Sequence, residues 1–288
     1  MLPKFDIFTP TTVKEASGLM LKYGKQARIL AGGTDVLVML HEGKLDVKYL
    51  VDIKGIQELK GIDVLPDGGV KIGALTTFNE IVKHPYIMEN YPVFVDGMDK
   101  IGSVQVRNLA TIGGNICNAI PSADSAPALL ALDAKLIADN GTEQREIALN
   151  EFFLAPRKTV LGEGEIVTAF IVPPMKPNAC AAYYKFMRRK AMDLALFGVA
   201  MYLEVEDNKC SAARVAMATA APVTIRVKEA EEYLVGKELT DEVLAEAGIV
   251  ASKAINPRTS YRSTAEYRKQ LAAELTPRTA KMALARMK

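Results

Sequence analysis

Histidine is scarce: His41 and His84 are the only two in 288 residues, and they stand apart. A Ser-His-Asp or Cys-His hydrolase needs a histidine beside its nucleophile, so that chemistry is disfavoured. His41 falls near an expected helix end and His84 precedes Pro85 in a turn, positions that suit surface or packing residues. Cysteine is equally sparse. Cys117, Cys180 and Cys210 are widely spaced, and no CxxC occurs. They do not make the ligand set of a zinc site or an iron–sulfur cluster, and they read as reduced thiols. No metal ligand and no catalytic residue is expected in this chain. No apolar run approaches the ~18–20 residues of a membrane span. The opening "MLPKFDIFTP" lacks the charged start and apolar stretch of a signal peptide, so a cytoplasmic protein is expected. Neither sign of charge dominates: 36 Lys and Arg face 34 Asp and Glu, a formal net charge of +2. That leaves no electrostatic footprint for nucleic acid. GxGxxG is missing too, which excludes the usual Rossmann fingerprint.

What is present is a soluble-type composition, 49% hydrophobic and 24% charged, enough for one to three domains. "TPTTVKEASGLMLKYGKQ" predicts a helix capped by Thr11 or Thr12 and stopped by Gly24. "ARILAGG" predicts a short buried strand running into a loop, "DVLVMLHEGK" a helix and "KYLVDI" (48–53) a second strand. Pro66-Asp67-Gly68-Gly69 predicts a hairpin turn. "TFNEIVKHP" reads as a short helix, and the stretch from Tyr91 as helical through Val104. Residues 122–149 give a helix, a strand, a turn at Asn140-Gly141 and another strand. "EIVTAFIVPP" (165–174) is a strand closed by two prolines. Beyond it come strand-like runs with a turn at Asp207-Asn208, then a charged helical tail in which Asp241 can cap the helix after Thr240.

One device occurs twice. "AGGTD" (31–35) and "TIGGN" (111–115) each follow an apolar lead-in with two glycines and a small polar residue. A glycine pair lets backbone approach a ligand with no Cβ in the way. A helix that follows aims its first N–H groups at the loop and favours an anion there. Two such loops can grip a pyrophosphate from both sides, with Thr34 as hydroxyl donor and Asn115 as donor and acceptor. Gly-Gly also occurs in ordinary turns, and Gly68-Gly69 reads as one.

"AGGTD" together with "RNLATIGGNICNAIPSADSAPALLALDA" (107–134) resembles the FAD-binding (medium) subunit of the molybdenum hydroxylase family. The family includes the medium subunit of carbon monoxide dehydrogenase and the FAD subunits of xanthine and nicotinate dehydrogenases. The likeness runs nearly end to end, through "EIVTAFIVP", "YYKFMRRKAMDLALFGVAM" and "STAEYRKQLAAEL". It implies an α+β chain: a two-subdomain FAD-binding fold of the vanillyl-alcohol-oxidase type, shared with the reductase of UDP-N-acetylenolpyruvoylglucosamine. A C-terminal α/β domain with a small sheet and helices follows. The implied boundaries are residues 1–172 for the FAD-binding domain, with subdomains of about 1–56 and 57–172, and 173–288 for the rest.

By the same resemblance Leu30, Ala31, Gly32, Gly33, Thr34, Asp35 and Val36 form the first cofactor loop. Thr111, Gly113, Gly114 and Asn115 form the second. Asp124 matches an aspartate at the adenosine end, with Ser122 nearby. Ile166 or Val167 lines the flavin pocket. Lys185 matches a lysine that reaches the flavin, where a cation stabilises the charge gained on reduction. Arg188 and Arg189 edge the ring or face a partner. The chain passes from Asn115 to Asp124 without the cysteine-rich insertion of the hydroxybenzoyl-CoA reductase branch. Thr34 stands where some relatives carry histidine, so FAD is expected to be non-covalent.

The implied function is an oxidoreductase subunit that takes electrons from iron–sulfur clusters and passes them to NAD, a quinone or another acceptor. The implied partners are an iron–sulfur small subunit and a molybdopterin large subunit in a dimer of heterotrimers. Molybdopterin and two-iron two-sulfur clusters belong to those partners. The rivals are a free-standing flavin oxidoreductase and a non-enzymatic nucleotide-binding protein. The first would need a substrate pocket and a proton donor, and no such constellation is legible.

Overall fold

The computed structural model describes residues 3–287. Three main sheets follow one another along the chain, with four apolar clusters packed around them. The first sheet is parallel, in the order Asp6–Phe8, Tyr49–Asp52, Ala27–Leu30. Helix Val13–Tyr23 makes the crossover between the outer strands. Thr12, not Thr11, is its N-cap, its side chain accepting from the Glu15 N–H, and Gly24 ends it at φ 51°.

The second sheet is antiparallel: Ile62–Val64, Val70–Gly73, Ile166–Val172, Lys135–Asp139, Gln144–Ala148. The expected hairpin is there, with Gly68 at φ 86° and the Leu65 N–H bonded to the Gly69 carbonyl at 2.8 Å. Its core gathers Phe78, Phe94, Leu129 and Phe170 from helices and the central strand. The stretch expected to be helical through Val104 is broken instead. Pro85–Asn90 and Pro92–Met98 are separate helices, and Gly102 turns at φ 52°. Ser103 then caps a new helix, Val104–Arg107, by accepting from the Val106 N–H. A left-handed glycine followed by a serine in extended backbone is a stop and a start, which the apolar spacing alone concealed.

The third sheet is antiparallel: Ala179–Phe186, Phe197–Glu206, Lys209–Ala218, Ile225–Arg226. Asp207 and Asn208 take φ 48° and 60°, the paired left-handed geometry of a tight hairpin. Alternation divides the strands between two cores. Cys180, Ala182, Val199 and Met201 face the helices Lys228–Leu234, Asp241–Ala254 and Ala265–Leu284. Ala181, Tyr183, Ala200 and Tyr202 face the core of the second sheet. The small alanines let Pro92–Met98 and Ser125–Ala131 approach that face closely.

Thr240 rather than Asp241 caps its helix, accepting from the Val243 N–H; Asp241 is the first helical residue. The cap has to sit in extended backbone, and Thr240 does, at ψ 166°. Pro277 lies inside the last helix, so the Ala273 carbonyl lacks its usual donor. Gly248 packs there, and a Cβ on it would drive into that carbonyl.

Candidate functional site

Strand Ala27–Leu30 delivers the first glycine loop. Leu30 is buried, and Val36 opens helix Val36–His41 while packing on the same small core, so both ends of the predicted segment serve packing. Ala31–Asp35 is the loop proper. Gly33 adopts φ 75°. Gly32 lies against the backbone ahead of the second glycine segment: a Cβ on it would run into the Leu109 carbonyl. Across the junction, a Cβ on Gly114 would sit 3.9 Å from the Ala31 Cβ. The two glycine segments therefore meet face to face, some eighty residues apart in sequence.

Their hydrogen bonding differs. The N–H groups of Gly32, Gly33, Thr34 and Asp35 donate to no acceptor among the described residues. They are uncommitted donors on a glycine loop ahead of a helix, the kind of group that can receive phosphate oxygens. The second segment was expected to offer a similar set, and it does not. Ile112 N–H bonds to the Thr76 carbonyl at 3.1 Å and Gly113 N–H to the Ala74 carbonyl at 2.9 Å. Gly114 N–H bonds to Thr111 Oγ1 at 3.1 Å. Gly113 is bare because a Cβ there would lie 2.6 Å from the Ala74 oxygen. This glycine serves close packing of helix Ile112–Cys117 on the strand-end backbone. What the segment presents is side-chain chemistry. Asn115 Oδ1 accepts from Ser125 Oγ at 2.7 Å, which turns its amide nitrogen outward as a donor.

Asp35 closes the loop beside Asn118 and Arg157. Burial pushes its carboxyl above the ordinary range, and the Arg157 charge and the Asn118 side chain pull back against that. Arg157, which the sequence did not single out, sits at φ 63° and bonds through its N–H to the Ala119 carbonyl at 3.0 Å.

The second concentration of chemistry is buried. Asp124 Oδ2 meets Lys185 Nζ at 2.8 Å, with side chains 5% and 1% exposed. Tyr183 donates its hydroxyl to Asp124 Oδ1 at 2.9 Å, and Lys185 donates to the Lys100 carbonyl at 2.8 Å. Burial raises the Asp124 carboxyl, an effect that Lys185 and Tyr183 only partly offset. Burial also drives the Tyr183 phenol well above its usual range. Asp124 and Lys185 were expected at opposite ends of an extended cofactor. In the structure the two side chains meet in one 2.8 Å ion pair. Tyr183 was missed, although the signal was present, since residues two apart on a strand share a face.

Ile166 and Val167 are each 4% exposed, and their side chains pack into two different cores. Ser122 lines a small cavity with Arg258, Arg262 and Arg268. Arg188 and Arg189 flank a tight loop whose backbone N–H groups bond to Asp193 Oδ2 at 2.8 and 3.1 Å. Burial works to raise the Asp193 carboxyl, but those two donors and the two guanidinium charges outweigh it, and it lies below the usual range. The three cysteines are free thiols, with burial lifting Cys117 and Cys180 to about 12 and Cys210 to about 11. No cluster of three metal-ligating side chains occurs among the described residues.

Residues 3–175 match the family described as the FAD binding domain in molybdopterin dehydrogenase, and residues 182–283 the CO dehydrogenase flavoprotein C-terminal domain. The chain belongs to the FAD-binding medium subunits of the molybdenum hydroxylases. It is 35% identical to the xanthine dehydrogenase FAD-binding subunit of Escherichia coli O157:H7, over 92% of this chain and 91% of that one. It is 31% identical to the carbon monoxide dehydrogenase medium chain of Hydrogenophaga pseudoflava, over 99% and 98%. A solved structure of carbon monoxide dehydrogenase from that organism superposes with a TM-score of 0.96 at 30% identity, covering 99% of both chains. Quinoline 2-oxidoreductase from Pseudomonas putida 86 gives 0.92 at 25% identity over the full length of both. As a medium subunit this chain is the flavoprotein part of an oxidoreductase, with an FAD-binding domain followed by the family's C-terminal domain. Its residues suit FAD. A pyrophosphate wants donors, and the Gly32–Asp35 amides are the uncommitted ones. No helix among the described residues is long and apolar enough to cross a membrane.

Proposed function

We propose that this chain is the electron-transfer subunit of a molybdenum hydroxylase complex. In that role it receives electrons from an iron–sulfur small subunit and passes them to NAD, a quinone or a comparable acceptor. A molybdopterin large subunit oxidises the substrate, and the assembly is a dimer of heterotrimers. The carrying observation is the open row of amides at Gly32–Asp35 facing Gly114 across the junction. FAD bound there non-covalently supplies the ability to take up two electrons and release them singly or as a pair.

The chain's own residues bind and shield. The first loop donates N–H groups to the pyrophosphate, joined by the hydroxyl of Thr34. Thr111 holds the second segment in place through its bond to Gly114 N–H, and Asn115 offers its amide nitrogen. The Asp124–Lys185–Tyr183 cluster gives the flavin end a fixed, water-free cation and carboxylate. Nothing in the cluster is asked to move a proton. Arg188 and Arg189 border the opening toward a partner.

Purification of the chain with its genetic neighbours tests the reading. The expected result is a yellow complex containing this chain, an iron–sulfur subunit and a molybdenum subunit. The isolated chain should carry flavin yet leave the complex's substrate untouched. A colourless chain, or turnover of substrate by the chain alone, would overturn it.

A further inference from the structure

Arg268 is 5% exposed, and its guanidinium has no carboxylate within ion-pair distance among the described residues. Its bonds run only to neutral acceptors: the Leu196 carbonyl at 3.2 Å, Ser260 Oγ at 3.1 Å and the Arg258 carbonyl. A guanidinium carries five N–H donors, so two remain uncommitted. A buried, uncompensated charge is costly, and a protein normally pairs it. Here the neighbouring charges worsen the case. Burial first, then the charges of Arg258 and Arg262, press the Arg268 guanidinium below its ordinary range.

These three arginines line one cavity of about 120 Å³ together with Ser122, Ser260 and Thr219. At ~30 Å³ per water, that space takes roughly four waters, or one group of phosphate size. The cavity joins two parts of the chain. Ser122 comes from the segment just before Asp124, and the arginines come from the approach to the last helix and its first turns. Thr219 ties the two together, its N–H bonded to the Pro121 carbonyl at 2.8 Å and its hydroxyl to the Leu196 carbonyl at 2.7 Å. Among the described residues no ion pair compensates Arg258 or Arg262 either. Every fixed full charge lining the cavity is positive, and the hydroxyls of Ser122 and Ser260 can donate to an oxyanion.

We propose that this cavity is a binding site for a phosphate group, gripped by Arg258, Arg262 and Arg268 and by the hydroxyls of Ser122 and Ser260. The phosphate neutralises Arg268 and clamps the last helix to the segment that carries Asp124. It comes either from free inorganic phosphate or from a nucleotide. The site is separate from the Gly32–Asp35 amides and does not rest on their assignment to FAD.

The test is a titration of the FAD-loaded full chain with inorganic phosphate against chloride at matched ionic strength, read by calorimetry and by melting temperature. A second titration uses ADP, alone and in competition with phosphate. Saturable phosphate binding with a rise in melting temperature is expected. Arg258→Gln and Arg262→Gln should each weaken it about tenfold or more, the loss of a charge-assisted bond. Both residues lie nearer the surface than Arg268, so the variants should fold and keep their flavin. ADP displacing phosphate with tighter binding identifies a nucleotide as the source; phosphate alone binding identifies the free ion. The proposal is overturned if phosphate acts no differently from chloride, or if the double variant binds it as well as the parent. It is also overturned if the variants shed FAD in place of phosphate, which would put the arginines in the flavin site. Failure of FAD to bind the parent chain would instead count against the flavin reading alone.

Discussion

Lys185→Met removes the cation ion-paired to Asp124, a carboxylate that the fold has sealed from water. Asp124 is 4% exposed, and its remaining partner is the Tyr183 hydroxyl at 2.9 Å. Methionine keeps the length of the stem, so packing is largely retained. What is lost is the counter-charge, and breaking a buried pair by deleting one partner costs about 3–5 kcal/mol. At about 2–4 °C per kcal/mol for a chain of this size, the melting temperature should fall by roughly 10 °C. The pH dependence has a definite sign. The folded-state carboxyl of Asp124 already lies above its ordinary value, and without Lys185 it rises further. Its favourable contribution is therefore complete below the unfolded carboxyl's pKa and is lost as pH rises through the raised folded value. The deficit of the variant should grow from pH 5 to pH 8. Asp124→Asn in the same chain removes the stranded charge and should recover much of the loss. Melts of the parent, both single variants and the double variant at those two pH values form a complete cycle. Additive single effects under about 1 kcal/mol each, with no pH trend, would refute the picture of a coupled buried pair.

Other consequences follow from the same geometry. Gly32→Ala should part the two glycine segments, because its Cβ meets the Leu109 carbonyl; FAD content and melting temperature should drop together. Thr111→Val removes the cap on helix Ile112–Cys117 and the hydroxyl facing the junction. A stability loss of about 1 kcal/mol is expected, with weaker FAD retention seen in a dilution assay. Gly248→Val should collide with the Ala273 carbonyl and separate the last two helices, lowering thermal stability while flavin occupancy at low temperature stays near the parent's. Iron and sulfide analysis of the isolated chain should be negative, since three dispersed cysteines do not make a cluster site; a characteristic iron–sulfur absorption would contradict this.

The fold was legible where local chemistry and periodicity agreed. The Thr11-Thr12 pair before an apolar stripe, Pro-Asp-Gly-Gly between alternating runs and Asp207-Asn208 are each local turn or cap chemistry, and a helix start, a hairpin and a tight turn form there. The stretch around Gly102 misled because the apolar spacing of two short helices continues across the break, while the break depends on one left-handed glycine. The site was half legible. "AGGTD" and "TIGGN" look alike in sequence, yet only the first leaves its amides free. The difference lies in Thr76 and Ala74, whose carbonyls come from a distant strand end and take the second set. The Asp124–Lys185 pairing was hidden for the same reason. It depends on how the third sheet packs across the helices of the second, a relation no local pattern carries. The arginine cavity draws on residues well over a hundred positions apart, and only the tertiary structure brings them together.

The central claim is that the junction of the two glycine segments holds FAD. Apoprotein prepared by flavin removal should be titrated with FAD and followed by quenching of flavin fluorescence, beside Gly114→Val and Gly33→Val. The parent should bind one FAD per chain, and both variants should remain folded by circular dichroism yet fail to retain it. Stoichiometric, undiminished FAD binding by the two variants would contradict the account.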